Sequence, residues 1–153
     1  MSLSVCRVQW DIAEPLLRSI REKVFICELR IPRKIEFDRK DRQAFHILIC
    51  DDYIQEAVAT GRIMPSGEIS RIAVLMSHRK QELDKIVLKG LLRVAHELEL
   101  NEIFINSPLE YVEYFRTRAF YTQGAVFMEA GIPRQRMACS VNKADSFKCY
   151  LSH

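Results

Sequence analysis

Residues 68–100 read EISRIAVLMSHRKQELDKIVLKGLLRVAHELEL, and this stretch decides the fold. Glu68–Leu75 reads as a strand. A charged loop, His78 to Lys85, follows it. Leu83, Ile86, Val87, Leu91, Val94, Ala95 and Leu98 then recur at helical spacing and predict a long amphipathic helix. Its other face carries Lys85, Lys89, Arg93 and His96, a solvated face. Glu102–Asn106 is a short apolar strand. A strand, helix and strand in this order pair the strands in parallel with a right-handed crossover.

Working outward, Pro65-Ser66-Gly67 is a tight-turn signal, so Gln55–Met64 forms an antiparallel hairpin with Glu68–Leu75. Ala44–Cys50 reads as another strand, closed by an Asp51-Asp52 turn. Val5–Trp10 is the first strand. Asp11 is placed as a helix N-cap with Glu14 three residues on, like a capping box. Leu16, Leu17, Ile20, Val24 and Cys27 carry that helix to about Glu28, ahead of Pro32. Ile31–Arg42 reads as an irregular loop. Downstream, Pro108–Arg118 is helical with Pro108 in its first turn. Phe120–Met128 and Arg136–Val141 read as a last strand pair around Gly131-Ile132-Pro133. The order implies an α/β chain with a mixed sheet and helices on both faces. One domain over residues 4–141 and a tail at 142–153 follow.

With 153 residues and 48% hydrophobic content, the chain can build a core of ordinary size. The net charge of +3 permits an anionic ligand but argues against nucleic acid. The densest basic stretch, Arg30, Arg33, Lys34, Arg39, Lys40 and Arg42, is interleaved with Glu36, Asp38 and Asp41, and reads as a solvated loop. Cys6, Cys27, Cys50, Cys139 and Cys149 lack metal-site or disulfide spacing. They read mostly as small core residues in a reducing cytoplasm, with no metal site. Cys27 stands out as a candidate nucleophile without an evident base. No apolar run is long enough to span a bilayer. His46, within an apolar strand, reads as a hydrogen-bonded core histidine, and Arg71 as an ion-pair partner.

Four segments carry a resemblance to a known family. They are Arg21-Glu22-Lys23-Val24-Phe25-Ile26-Cys27-Glu28 with Glu36-Phe37-Asp38; Ala59-Thr60-Gly61-Arg62 with Gly67 through Val74; Asn106; and Glu129-Ala130-Gly131-Ile132-Pro133 with Arg136-Met137. Together they resemble the GNAT superfamily of acyl-CoA-dependent N-acyltransferases, across roughly residues 4–140. The resemblance implies the GNAT-like fold, with a mostly antiparallel mixed sheet. It implies acyl transfer from acetyl-CoA or another acyl-CoA, bound as cosubstrate, to a small-molecule or peptide amine. A homodimer is compatible with it.

It also implies roles. Ile72, Ala73 and Val74 offer backbone partners to the pantetheine arm. Arg79, Lys80, Gln81 and Asn106 fall at cofactor-binding positions. Glu28 and Glu36 are candidate bases, with Asp38 and Glu68 beside them. Tyr114 is a candidate acid for the leaving thiolate, with Tyr111 one turn back.

Two departures weigh against activity. The family's phosphate loop carries glycines where this chain has Lys80, Glu82 and Asp84. Glycine lets backbone N–H groups close on phosphate, whereas a carboxylate in a helix's first turn takes the niche itself, worth ~0.3–1 kcal/mol. The family's tyrosine and glycine positions hold Phe115 and Ala119, and Tyr114 is turned by about 100° from the tyrosine position. A second reading therefore stays open, of a catalytically impaired GNAT-like domain with weak cofactor binding and a regulatory or binding role.

Overall fold

The computed structural model of the chain describes residues 2–144; Met1, Cys149 and most of the predicted tail lie outside the described residues. The strands are β1 (Leu3–Val8), β2 (Phe45–Asp51), β3 (Glu56–Ile63), β4 (Glu68–Val74), β5 (Glu102–Pro108), β6 (Tyr121–Thr122), β7 (Phe127–Glu129) and β8 (Ile132–Ser140). The helices are α1 (Trp10–Arg21), α2 (Arg33–Glu36), α3 (Leu83–Glu97), α4 (Val112–Arg116) and α5 (Val141–Ala144). The strands form one sheet in the order β1-β2-β3-β4-β5-β8-β6, with β7 also on β8. Only β4 and β5 run parallel; every other pair is antiparallel.

Each face of the sheet is covered by one main helix. Leu83, Val87, Leu88 and Leu91 of α3 pack with Ile47, Ile49, Val58 and Ile63 in one core. Trp10, Ala13, Leu17 and Ile20 of α1 pack with Leu48, Ala57 and Ala73 in the other. Period-2 alternation in the strands feeds both layers at once. Two glycines are demanded by this packing. A Cβ on Gly61 would stand 2.5 Å from Val87 Cγ1, so β3 meets α3 only where a side chain is missing. Gly67 sits at φ +97°, and a Cβ there would meet the Glu102 carbonyl oxygen at 2.7 Å. Its own carbonyl accepts from Phe104 N at 3.0 Å. That contact stitches the β3–β4 turn to β5 and fixes the parallel register Glu68↔Phe104 and Ile69↔Ile105.

The central hairpin, the long helix and the parallel crossover fall where the sequence puts them. Several local expectations are corrected. The first strand is Leu3–Val8, and Trp10 opens α1 rather than closing the strand. Gln9 is the N-cap, and Glu14 bonds Arg18 at 2.8 Å instead of closing a capping box on Asp11. The Asp51-Asp52 turn is present at residues 52–55, but Asp51 itself ends β2, buried, and accepts from Tyr53 N at 3.0 Å. Residues 31–42 are not irregular, since they hold α2 and a 3₁₀ turn at Arg39–Arg42. Pro108 ends β5, and the following helix is shorter than expected. The last strand pair is three strands, because Ile132 and Pro133 belong to β8. Of the described cysteines only Cys139 is buried, while Cys6 and Cys27 are exposed.

Candidate active site

The site begins where the sheet comes apart. β4 and β5 pair at Glu68↔Phe104 and Ile69↔Ile105 and no further. From Ser70 and Asn106 onward the two strands diverge, each keeping its outer neighbour. Arg71 lies at φ +57°, and the β3–β4 register shifts between Thr60 and Arg62. This β-bulge bends β4 away from β5. Ile72, Ala73 and Val74 therefore run along one wall of a wedge-shaped gap. Asn106 stands on the other wall, its carbonyl accepting from Arg134 Nη1 at 3.1 Å.

At the wide end of the gap, β4 passes through a 3₁₀ segment, Met76–Gln81, into α3. Buried His78 pins this segment to the end of β2: its Nε2 lies 3.0 Å from Asp51 Oδ2, and its Nδ1 2.7 Å from Ser77 Oγ. Lys80 and Gln81 are exposed. Glu82 is the N-cap of α3 in the left-handed conformation, φ +55°. Neither carboxylate of the departed glycine loop occupies the helix's own N–H groups. Glu82 takes Lys85 Nζ at 2.8 Å, Asp84 accepts from the Tyr114 hydroxyl, and the N-cap side chain of Glu82 makes no bond to α3.

The candidate bases stand apart along β4, Glu28 at its Val74 end and Glu36 at its middle. Glu28 lies at the wide end. Past Arg21 the first helix continues as a π-helix, Glu22–Glu28, with Leu29 N bonding Val24 O. This wider winding, a form frequent at functional sites, brings Lys23, Val24, Cys27 and Glu28 to an open cavity of about 340 Å³ shared with Leu75 and Met76. Glu28 accepts both terminal nitrogens of Arg79, at 2.8 and 2.6 Å, and that hydrogen bonding holds its carboxyl below the usual range. Arg79 Nε in turn donates to Val74 O at 3.1 Å.

Glu36 lies toward the apex, beside Arg71, ~10 Å along the strand from Val74 at about 3.3 Å per residue. It is enclosed in a network of three arginines and three acids. Arg21 bonds Glu36 at 2.8 Å and Asp41 at 2.6 Å; Arg62 bonds Asp38 at 2.7 Å and Asp41 at 2.9 Å; Arg71 reaches Glu36 and Asp38, both at 3.3 Å. Burial raises the Glu36 carboxyl and outweighs the neighbouring arginines. Burial also pushes Asp38 upward, but Arg62 and Arg71 together hold it below its ordinary value. The acids of the loop that reads as solvated are thus ion-pair partners in this network, while its basic side chains face outward. His46 is the core histidine expected, its Nε2 2.9 Å from Asp41 O, and Arg71 is the expected ion-pair partner.

Tyr114 stands at the start of α3. Burial first, and its bond to Asp84 second, push its phenol well above the ordinary value. Arg118 lies over its ring. Phe115 is core, edge-on to Tyr114 and Phe120. Tyr111 is exposed and acts electrostatically on Arg79 at the wide end of the gap, while Glu68 pairs with Lys40 at 3.4 Å.

Lys23, Leu75, Met76, Asp51 and His78 escaped the sequence reading. Only Met76 carried a signal, an apolar residue just ahead of the charged loop. Asp51 and His78 are 27 residues apart and meet only through the sheet. Among the described residues no group of His, Cys, Asp and Glu could hold a metal ion, and no helix is long and apolar enough to cross a membrane.

No family model matches the chain. It is similar to YjcF of Bacillus subtilis strain 168, which carries the name N-acetyltransferase, with 28% identity over 122 residues, 77% of this chain and 86% of YjcF. It is also 28% identical to YyaT of the same organism over 94% of this chain and 98% of YyaT. An acyl-CoA N-acyltransferase from Pseudomonas aeruginosa superposes with a TM-score of 0.80 at 22% identity, covering 90% of this chain and 99% of that one. BjaI, a CoA-dependent acyl-homoserine lactone synthase solved with S-adenosylmethionine (SAM) and isopentyl-CoA, reaches a TM-score of 0.80 at 12% identity, covering 99% of this chain and 90% of its own. The fold is that of the GNAT acyl-CoA N-acyltransferases.

Proposed function

We infer that this chain is a GNAT N-acyltransferase that moves an acyl group from acetyl-CoA or a related acyl-CoA to the amine of a small molecule or peptide. The observation that carries this reading is the parallel pair β4–β5, which opens at Ser70 and Asn106 and widens toward an α3 N-terminus that its own N-cap side chain, Glu82, leaves uncapped. A thioester arm fits a gap lined by strand backbone, and a pyrophosphate fits a helix N-terminus. In the impaired reading, Glu82 and Asp84 would fill that N-terminus. Both carboxylates are instead engaged elsewhere.

In the proposed reaction the amine nitrogen attacks the thioester carbonyl, the C–N bond forms, and the C–S bond breaks to release CoA thiolate. Ile72, Ala73 and Val74 position the pantetheine arm by their backbone, and Asn106 bounds the gap opposite. Arg79, Lys80, Gln81 and the α3 N-terminus face the phosphates. Positioning supplies much of the acceleration in such a transfer. Of the two candidate bases, Glu36 holds a proton more readily than Glu28, because burial raises the first and Arg79 lowers the second. It sits beside Arg71, on the part of β4 that has left β5. Tyr114, raised and bonded to Asp84, is a poor acid; its role is to hold the first turn of α3. The free, exposed thiols Cys6 and Cys27 fit a reducing compartment, and the cytoplasm is the location proposed.

The test is turnover by the full chain, followed as CoA thiol release from acetyl-CoA and isopentyl-CoA against a panel of amines and amino-terminal peptides. Amine-dependent thiol release with at least one donor–acceptor pair is expected. Release no faster than without protein, across the whole panel, would overturn the reading.

A further inference from the structure

The guanidinium proposed to meet the pyrophosphate already has an anion. Arg79 spans the wide end of the gap, tied by Nε to Val74 O and by both terminal nitrogens to Glu28. The pair is half-exposed, with side-chain accessibilities of 41% for Arg79 and 27% for Glu28. Glu28 is carried on the π-helical end of the first helix, and Arg79 on the 3₁₀ segment that His78 pins to β2. The two elements have no covalent proximity, 51 residues apart, so this pair bridges them across the mouth of the cavity. A carboxylate and a phosphate present the same paired oxygens to the planar fork of an arginine. The carboxylate therefore occupies the seat of the ligand.

We propose that Glu28 locks the cofactor loop, and that the pyrophosphate of an acyl-CoA opens the lock by taking Arg79 from it. This rests on the acyl-CoA reading above and adds a direct competition to it. In the exchange no covalent bond changes. Arg79 trades two carboxylate contacts for phosphate oxygens, and Glu28 is released into the cavity beside Lys23 and Cys27. Arg79 is what holds the Glu28 carboxyl low, so its departure removes the hydrogen bonding that keeps that carboxyl below the usual range. Cofactor binding and the state of Glu28 are thereby coupled.

The experiment is calorimetric titration of coenzyme A, and separately of phosphate-free pantetheine, into the full chain and into Glu28→Gln, Arg79→Gln and the double variant. An exposed ion pair contributes ~0.2–1 kcal/mol, so Glu28→Gln should tighten coenzyme A binding by about 1.4- to five-fold. Pantetheine affinity should not change. Arg79→Gln should weaken coenzyme A binding, and in that background Glu28→Gln should no longer tighten it. Unchanged or weaker coenzyme A binding by Glu28→Gln overturns the lock while leaving the acyl-CoA reading standing. So does equal tightening with and without Arg79. If neither wild type nor Glu28→Gln binds coenzyme A, the acyl-CoA reading falls and the lock with it.

Discussion

Glu82 holds φ +55°, where a Cβ crowds the backbone and glycine does not. Its side chain repays little, since its pair with Lys85 is exposed. Glu82→Gly should therefore stabilise the protein by ~1 kcal/mol and raise Tm by about 2–4 °C, read by thermal denaturation; an unchanged or lower Tm would refute it. Ala119 lies at φ +69° in the same way. At both positions the resembled family carries glycine, and here the backbone keeps the glycine conformation after the residue has changed. The sequence showed the substitutions but not that the conformation survives them. Tyr114 makes the second residue-scale case. A true general acid is worth about 10²–10⁴-fold in rate, whereas an anchoring hydroxyl is worth ~1 kcal/mol of stability. Tyr114→Phe should therefore lower kcat by less than about tenfold while costing that stability; a loss of a thousandfold in kcat would restore Tyr114 as the acid.

Among the elements, the parallel pair and the buried ion network set the site. Gly67 presses against the start of β5, and its φ of +97° excludes other residues. Gly67→Ala should cost at least ~2 kcal/mol, from overpacking and strain together, measured by urea denaturation. A cost under half of that would mean the turn does not fix β5. The network is held by Arg21, Glu36 and Asp41, whose side chains are at most 2% exposed. Asp41→Ala leaves three arginines facing two acids, with Arg21 keeping Glu36 and Arg62 keeping Asp38; the one uncompensated buried charge costs ~3–5 kcal/mol and should shift the urea midpoint accordingly. The hairpin, α3 and the crossover were legible because apolar period and turn chemistry are local signals. The network was not. Charged residues at 36, 38 and 41 look like any solvated loop until Arg21 and Arg62, from a helix and a central strand, are folded against them. The π-helix was equally hidden, since Val24 and Cys27 suit an α-helix as well.

For the molecule as a whole, charge and topology act together. Asp38 and Asp51 fall below their ordinary value of 3.8, and Glu28 below 4.5. Arginine partners hold Asp38 and Glu28 there, and a histidine holds Asp51. In each the unfolded chain binds the proton more readily, so the stability is present above the ordinary value and lost as pH falls through the folded one. Glu36, raised, acts in the opposite sense, favouring the fold below 4.5. His46, lowered by burial, acts in the same sense as those three, so with four groups against one the urea midpoint should drop between pH 6 and pH 3; a flat or rising midpoint would contradict the balance. The wedge between β4 and β5 belongs to this scale too. No residue encodes it: the Arg71 bulge, the Gly67 contact and the crossover through α3 make it jointly, which is why the fold could be read and the placement of the bases could not. The claim that this wedge receives an acyl-CoA is tested most directly by calorimetric titration of acetyl-CoA into the full chain. The account predicts one saturable site with a Kd below about 1 mM, within the ordinary range for enzyme substrates. Absence of saturable heat at millimolar acetyl-CoA, with no gain in Tm, would contradict it.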